Sequence, residues 1–240
     1  MIILSVGMPR AGSGWYYNLT HDLVVSAGGQ DARQVRQRYH LQHILTEVNC
    51  NIGALTLRRL LAVLLPSLLG NTFVIKAHST PTKTARKIMA WGLLRTAYIY
   101  RDPRDAMLSA YENGQRAIEK GRPNAFSHLT DFDKALNFMQ EYVRISAAWL
   151  DLSEVLHTRY ETLLVDYENQ VNLLGQFLHL ERQDPAVIEK YRPAQARQET
   201  KGMHFRKGKI GRFREKWTPE QQEILAQVFN AYLMRLNYPL

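Results

Sequence analysis

Short apolar runs alternate along this chain with longer stretches in which apolar residues recur at helical spacing. Strands are predicted for four of the short runs, at residues 2–6 (IILSV), 72–76 (TFVIK), 96–100 (TAYIY) and 155–160 (VLHTRY). Helices are predicted from Ser13 to near Gly28, over most of 31–69 with a break at about 49–53, from about Asp131 to Leu152, over 168–180 and over 218–236. Strands separated by helices need crossover connections, which predict a parallel sheet.

The whole chain, residues 1–240, is predicted to form one α/β domain. Its 240 residues, of which 45% are hydrophobic, are enough to bury one sizeable core. We find no internal repeat and no linker rich in Gly, Pro or Ser that would separate two domains. We therefore expect a central parallel β-sheet flanked by helices.

Charge and cysteine content narrow the class of protein. The net charge of +9 and the pI near 9.7 predict an anionic partner, which could be nucleic acid, a membrane surface, or a phosphorylated or sulfated small molecule. Cys50 is the one cysteine, so no internal disulfide can form. The apolar start is too short for a signal peptide, and Arg58, Arg59 and Pro66 interrupt the apolar run 57–70. The sequence predicts a cytoplasmic protein with no stable membrane anchor.

A glycine-rich turn follows the first predicted strand. In SVGMPRAGSGW, residues 5–15, Gly7 and Gly12 stand five apart as in the phosphate loop GxxxxGK[ST]. Ser13 occupies the lysine position, and the nearest cation is Arg10. A strand, a glycine turn and a helix N-terminus form an anion site, because backbone N–H groups and the helix dipole converge there. Alone, the pattern also fits an ordinary tight turn.

Polar residues follow each of the other predicted strands. Lys76 and His78 come at the end of the second strand, Arg101 follows the third, and Tyr160 and Glu161 follow the fourth. Ligands of parallel α/β sheets bind at the carboxyl ends of the strands. Each residue has an ordinary structural explanation, but their joint occurrence at consecutive strand ends predicts one site.

A basic segment lies near the C-terminus. HFRKGKIGRFREKW, residues 204–217, carries six Lys or Arg residues against one acidic residue, together with two glycines. Such a segment is typical either of nucleic-acid binding or of a clamp whose Arg and Lys side chains fold over a smaller anion.

Taken in order, these motifs resemble those of the sulfotransferases that use 3′-phosphoadenosine 5′-phosphosulfate (PAPS), especially the soluble cytosolic type. PRAGSGW resembles the family's P-K-S-G-T-T-W loop, and YRDPRDAMLS resembles its 3′-phosphate motif. KAH resembles its K-x-H, YE follows the expected later strand, and FRKGKIG resembles its C-terminal R-K-G-x-x-G clamp. The resemblance extends from residue 3 to about residue 218.

This resemblance implies transfer of a sulfuryl group from PAPS to a hydroxyl or amine acceptor, leaving adenosine 3′,5′-bisphosphate (PAP), without a metal. The residues that it assigns to the donor are Arg10, Gly12, Ser13, Gly14, Trp15, Arg101, Ser109, Tyr160, Arg206, Lys207 and Gly208. Among them, Trp15 and Tyr160 are expected at the adenine. His78 is expected to be the general base, with Lys76 and Arg10 stabilising the developing charge.

The sequence departs from the family's loop at two positions. Arg10 replaces the family's lysine, which keeps the charge but changes the donor geometry. Gly14 replaces a threonine, so the contact there depends on backbone N–H groups.

Two other functions are weighed against this interpretation. A P-loop small-molecule kinase is disfavoured because no lysine follows Gly12, and a non-catalytic basic module that binds nucleic acid has only the basic segment in its favour. We expect a small-molecule or glycan acceptor and no nucleic-acid partner. The acceptor pocket is expected around residues 31–60 and 111–128, whereas the acceptor itself and the oligomeric state do not follow from the sequence.

Overall fold

The computed structural model describes residues 1–196 and 208–240, and in these residues four strands form one parallel sheet. The strands are β1 (Ile2–Gly7), β2 (Phe73–Ala77), β3 (Leu94–Tyr100) and β4 (Leu156–Arg159). Their order in the sheet is β2-β1-β3-β4, and every neighbouring pair is parallel. Val6 of β1 is in register with Ala77 on one side and Tyr98 on the other. The predicted strands and the parallel sheet are confirmed.

Helices cover both faces of this sheet. Those in the described residues are α1 (Ser13–Ser26), α2 (Ala32–Arg38), α3 (Leu57–Leu68), α4 (Lys83–Ala90), α5 (Pro103–Glu119), α6 (Phe132–Leu150), α7 (Tyr160–Val165), α8 (Tyr167–Phe177), α9 (Pro185–Lys190), α10 (Pro193–Ala196), α11 (Phe213–Lys216), α12 (Pro219–Val228) and α13 (Asn230–Arg235). None of them is long and apolar enough to cross a lipid bilayer.

Successive residues of β1 pack into two separate cores, because side chains alternate between the two faces of a sheet. Ile2 and Leu4 pack on the face covered by α3 and α4, whereas Ile3 packs with residues of α1 and α8. All six residues of β1 are buried, as expected for a central strand with helices on both faces. The C-terminal helices pack against α5 and α6 in a third apolar cluster.

The region predicted to be helical over 31–69 contains a longer non-helical stretch than expected. α2 ends at Arg38 and α3 begins only at Leu57, so the break runs over 39–56 rather than about 49–53. Arg36 Nε donates to the Leu45 carbonyl at 2.7 Å, and Arg33 Nε donates to the Val48 carbonyl at 3.1 Å. These side chains occupy the carbonyls that a continuous helix would use for its own backbone bonds.

Two other predicted boundaries are also wrong. The helix predicted over 218–236 divides at Phe229, which is buried between α12 and α13. Tyr160, predicted as the last residue of the fourth strand, is instead the first residue of α7. The predicted start at Thr218 is confirmed: its hydroxyl accepts from the Gln221 N–H in a capping box.

Candidate active site

The loop between β1 and α1 makes its turn at two residues with positive φ. Arg10 has a φ of 64° and Gly12 a φ of 79°. A Cβ atom on Gly12 would lie 2.8 Å from the ring of Tyr160, so glycine is required there by both the backbone conformation and the space. The first residue of α7 therefore packs directly on the loop that the sequence identifies as phosphate-binding.

The N-terminus of α1 opens onto this loop. Gly12 is its N-cap residue, and no side chain in the described part of the chain caps the helix. The first-turn amides, which include those of Ser13 and Gly14, lack carbonyl partners within the helix, and they carry the positive end of its dipole. Three of the predicted donor contacts thus lie together at a helix end suited to an anion.

His78, the first residue after β2, is hydrogen-bonded to the end of β1. Its Nδ1 lies 2.6 Å from the carbonyl oxygen of Gly7. A carbonyl only accepts, so Nδ1 carries the proton and Nε2 keeps its lone pair. Burial, together with the ammonium of Lys76, lowers the pKa of His78 to about 3. The ring is therefore neutral near pH 7, in a tautomer that can accept a proton at Nε2.

Lys76 is the penultimate residue of β2 and is 5% exposed. Burial, together with the guanidinium of Arg10, lowers the pKa of Lys76 to about 8. Both influences oppose the charged form of the side chain. An anion placed among Lys76, His78 and Arg10 would remove part of this unfavourable energy.

Arg10 and Ser109 meet although they are 99 positions apart in the chain. Arg10 Nε donates to the hydroxyl of Ser109, on α5, at 3.2 Å. The guanidinium also lies 5.7 Å from the centre of the Phe126 ring. The structure thus joins one residue from the predicted phosphosulfate loop to one from the predicted 3′-phosphate motif.

Arg101, directly after β3, connects three parts of the site. Its Nη1 donates to the Arg10 carbonyl at 3.2 Å, and its Nη2 donates to the Lys209 carbonyl at 3.0 Å. The guanidinium lies 4.4 Å from the centre of the Tyr160 ring. Arg101 Nε is buried and has no hydrogen-bond partner among residues 1–196 and 208–240. A buried donor of this kind is a position where a bound anion can supply the acceptor.

Asp105 is a site residue that the sequence reasoning missed. Its side chain is 1% exposed and accepts from Arg101 Nη2 at 3.3 Å. It also accepts from the backbone N–H of Gly211 at 2.7 Å and of Phe213 at 3.1 Å. The spacing of four between Arg101 and Asp105 on the start of a helix was the available signal. Asp105 fixes the end of the basic segment to the third strand.

The two aromatic residues predicted at the adenine lie in the core. Trp15 is 0% exposed, stacks on Tyr167 at 6.1 Å and donates from Nε1 to the Tyr191 carbonyl at 2.8 Å. Tyr160 meets Trp15 edge-on at 6.3 Å. An adenine contact to Trp15 therefore requires neighbouring side chains to move, and it stays a prediction.

The predicted basic clamp falls only partly within the described residues. Arg206 and Lys207 belong to 197–207, which lie outside them. Gly208 has a φ of 56°, and the next carbonyl, that of Lys209, accepts from Arg101. The described end of the clamp thus lies against the predicted 3′-phosphate residue. Within the same described ranges, no group of three or more His, Cys, Asp or Glu side chains could hold a metal ion.

A cleft of about 490 Å³ opens beside the predicted base. Its lining residues are Asn51, Gly53, His78, Ser79, Thr80, Glu141, Tyr142 and Ile145. The predicted acceptor segment 31–60 supplies two of them, whereas none comes from 111–128. The sequence reasoning missed the contribution of α6, because helical periodicity does not show which turn of a helix faces a cleft.

Similarities to known proteins extend over nearly the whole chain. A family model described as "Sulfotransferase domain" matches residues 2–237. Mouse sulfotransferase SULT7A1 complexed with PAP superposes with a TM-score of 0.67 at 15% identity, over 97% of this chain and 84% of that chain. Retinol dehydratase in complex with androsterone and inactive cofactor PAP superposes with a TM-score of 0.60 at 18% identity, over 97% and 80%. No curated protein sequence matches the chain.

At these identities the two structures show a shared fold, whereas the family match extends over nearly every residue, from the first strand to the last helix. The chain belongs to the sulfotransferase domain family of enzymes.

Proposed function

We propose that this protein transfers a sulfuryl group from PAPS to a hydroxyl or amine acceptor, with His78 as the general base. The observation that carries the proposal is the 2.6 Å hydrogen bond between His78 Nδ1 and the Gly7 carbonyl. It holds a neutral imidazole, with its Nε2 lone pair available, at the start of the loop that resembles the family's phosphosulfate loop. A base must lie close to both reacting groups, and a bond between His78 and the start of this loop supports that role.

The residues around the loop fit the donor. The buried Nε of Arg101, which has no partner among the described residues, can donate to a phosphate. Ser109 lies nearby, because Arg10 is hydrogen-bonded to both Ser109 and Arg101. The uncapped N-terminus of α1 suits the 5′-phosphate. When bound, PAPS supplies a sulfuryl group attached to a phosphate leaving group. PAP in the matched structures of SULT7A1 and retinol dehydratase supports this choice of donor.

The residues at the end of β2 divide the chemical work. His78 Nε2 takes the proton from the acceptor hydroxyl or amine while the acceptor atom forms its bond to sulfur. The bond between sulfur and the bridging oxygen breaks, and the phosphate leaves with the electron pair. Lys76 and Arg10 place positive charge where negative charge grows, in a largely buried environment that strengthens the interaction.

The cleft beside His78 has a mixed lining. Asn51, Thr80 and Glu141 present amide, hydroxyl and carboxylate groups, whereas the ring of Tyr142 and the side chain of Ile145 add apolar surface. Such a lining suits an acceptor that carries a polar group on an apolar body. We therefore propose a small molecule or glycan fragment as acceptor, in the cytoplasm, with no nucleic-acid partner.

Thermal unfolding with PAP and with ADP tests the donor site. ADP lacks the 3′-phosphate that Arg101 and Ser109 are proposed to bind. PAP at about 100 times its Kd stabilises by roughly 2.7 kcal/mol, which raises the Tm by roughly 5–11 °C for a domain of this size. ADP at the same concentration should give a clearly smaller shift, and Arg101→Ala should reduce the PAP shift.

An exposed arginine far from the loop provides the matched control, and Arg182→Ala should leave the PAP shift unchanged. Equal shifts from PAP and ADP, or none from either, would contradict the proposal. ATP-dependent phosphorylation of small molecules would instead favour the kinase, and oligonucleotide binding that weakens steeply with salt would favour the nucleic-acid module. Acceptor classes can then be screened with labelled PAPS.

A further inference from the structure

The outer surface of α3 exposes a row of leucines. The five leucines that are between 55% and 65% exposed are Leu57, Leu61, Leu65, Leu68 and Leu69. At 3.6 residues per turn they fall within an arc of about 120°. The opposite side of the helix, with Leu60 and Val63, is fully buried in the core. α3 is thus apolar on its solvent side as well, which is unusual for a surface helix.

Trp91 adds an aromatic ring to this surface. It directly follows α4, which packs beside α3 on the same face of the sheet, and it is 69% exposed. The other three tryptophans, Trp15, Trp149 and Trp217, are at most 8% exposed. A large exposed indole and a row of exposed leucines on two neighbouring helices are the composition found at membrane–water interfaces.

The charged residues of α3, α4 and the chain between them have a single sign. Between Glu47 and Asp102 the chain carries eight Lys or Arg residues and no acidic residue. Those exposed on α3 and α4 are Arg58, Lys83, Arg86 and Lys87. In the part of the chain that the structure describes, none of these four forms an ion pair with a carboxylate. The leucines and Trp91 are therefore bordered by cations that protein carboxylates do not neutralise.

This charge distribution selects among the possible occupants of the surface. A second copy of the chain, packed symmetrically, would bring the basic residues of one α3–α4 surface against those of the other. An anionic lipid bilayer accepts apolar side chains and satisfies the cations with its phosphate and carboxylate groups. We infer that the α3–α4 surface (Leu57–Leu69 with Lys83–Trp91) binds reversibly to the surface of anionic membranes.

Binding to vesicles tests this inference with the full chain. Vesicles of phosphatidylcholine mixed with phosphatidylserine should retain the protein in a flotation assay, and vesicles of phosphatidylcholine alone should not. Salt should weaken the binding, because the basic residues act through screened electrostatics. The emission of Trp91 should shift to shorter wavelength on the anionic vesicles, and the shift should be lost in Trp91→Phe.

Two double variants locate the surface. Leu61→Ser with Leu65→Ser, and separately Arg86→Glu with Lys87→Glu, should each weaken binding to anionic vesicles by about tenfold or more. All four positions are exposed, so these variants should fold. Their Tm values without PAP, compared with that of the unmodified protein, check this. Leu173→Ser is the matched control, since Leu173 is 48% exposed on α8, which packs with the opposite core. It should bind as the unmodified protein does.

Three results would overturn the inference: no binding to anionic vesicles, equal binding to neutral vesicles, or full binding by both double variants. A concentration-dependent dimer in sedimentation that Leu61→Ser abolishes would also overturn it and would make a second copy the occupant. The PAP shift does not involve this surface, so failure here is distinguishable from failure of the proposed donor site.

Discussion

Two buried cations at the carboxyl edge of the sheet, Arg101 after β3 and Lys76 on β2, have different charged neighbours. At β3, Arg101 is matched by the buried carboxylate of Asp105. At β2, Lys76 is just as buried, but the charged group that acts on it is Arg10, and the pKa of Lys76 falls to about 8. One side pairs opposite charges, whereas the other brings like charges together.

This difference distinguishes the pair at β3, which holds the fold together, from the cations at β2, which belong to the proposed reaction site. A buried cation with its carboxylate partner and backbone acceptors fixes two segments of chain at a set distance. Buried cations brought together oppose one another until an anion arrives. Mutation of Asp105 on the paired side should therefore act mainly on stability, and mutation of the cationic side mainly on catalysis.

The largest expected effect is on the cationic side. His78→Ala should lower kcat by about 10²–10⁴-fold, because it removes the group that we propose takes the acceptor's proton. The affinity for PAP should stay near that of the unmodified protein. Steady-state kinetics and calorimetry measure the two quantities, and His179→Ala, at an exposed position outside the predicted acceptor segments, is the control. A kcat within about twofold of the original would exclude His78 as the base.

On the paired side, Asp105→Asn should lower the free energy of unfolding by about 3–5 kcal/mol. The substitution leaves Arg101 buried without its countercharge and weakens the acceptor of the Gly211 and Phe213 N–H groups. For a domain of this size the Tm should fall by roughly 6–20 °C. Asp133→Asn, exposed on α6, should change it little. A loss below about 1 kcal/mol would show that Asp105 does not hold the framework.

Lys76→Met should raise the free energy of unfolding, by somewhat less than Asp105→Asn lowers it. The folded pKa of about 8 lies below the usual 10.5, so the unfolded chain binds the proton more tightly. Below pH 8 the charged lysine therefore opposes folding, and the penalty disappears as the pH rises from 8 through 10.5. At pH 7 the variant should be more stable by up to about 3 kcal/mol.

The pH dependence distinguishes this explanation from better packing of methionine. In denaturant unfolding, the difference between Lys76→Met and the original protein should shrink as the pH approaches 10.5. Lys120→Met, at an exposed position, should show no difference at either pH. A constant advantage at every pH would indicate packing, and a loss of stability at pH 7 would contradict the like-charge interpretation.

The smallest expected effect is a rise in the pKa of His78 when PAP binds. Burial and the Lys76 charge keep the pKa of the free ring at about 3, and a bound bisphosphate would offset that positive charge. The pKa should rise by at least about one unit, worth about 1.4 kcal/mol. An NMR titration of the imidazole with and without PAP measures it. A pKa that stays constant or falls would separate His78 from the donor site.

The strands and their chemistry could be predicted because parallel strands buried on both faces leave continuous apolar runs. Ligands bind at the carboxyl ends of such strands, so the sequence predicts that Lys76, His78 and Arg101 lie in one region. What sequence periodicity could not show depends on distant partners. Asp105 is hidden because its amide donors are 106 and 108 positions away.

The non-helical stretch 39–56 and the Trp15 environment were missed for the same physical reason. In the first, Arg33 and Arg36 hydrogen-bond to carbonyls 15 and 9 positions further along the chain, which local periodicity does not show. In the second, Tyr167 and Tyr191 close around the indole from a part of the chain more than 150 positions away. Local propensity describes neither interaction, because both depend on the tertiary arrangement.

Solvent exchange of the His78 ring proton reports on motion where His78 contacts the end of β1. Because Nδ1 lies 2.6 Å from the carbonyl oxygen, the ring proton exchanges with solvent only when the two groups separate. The exchange rate is therefore a lower limit on the rate at which the His78 ring leaves the Gly7 carbonyl, which is 71 positions away in the chain. NMR line broadening or magnetisation transfer from water would measure it.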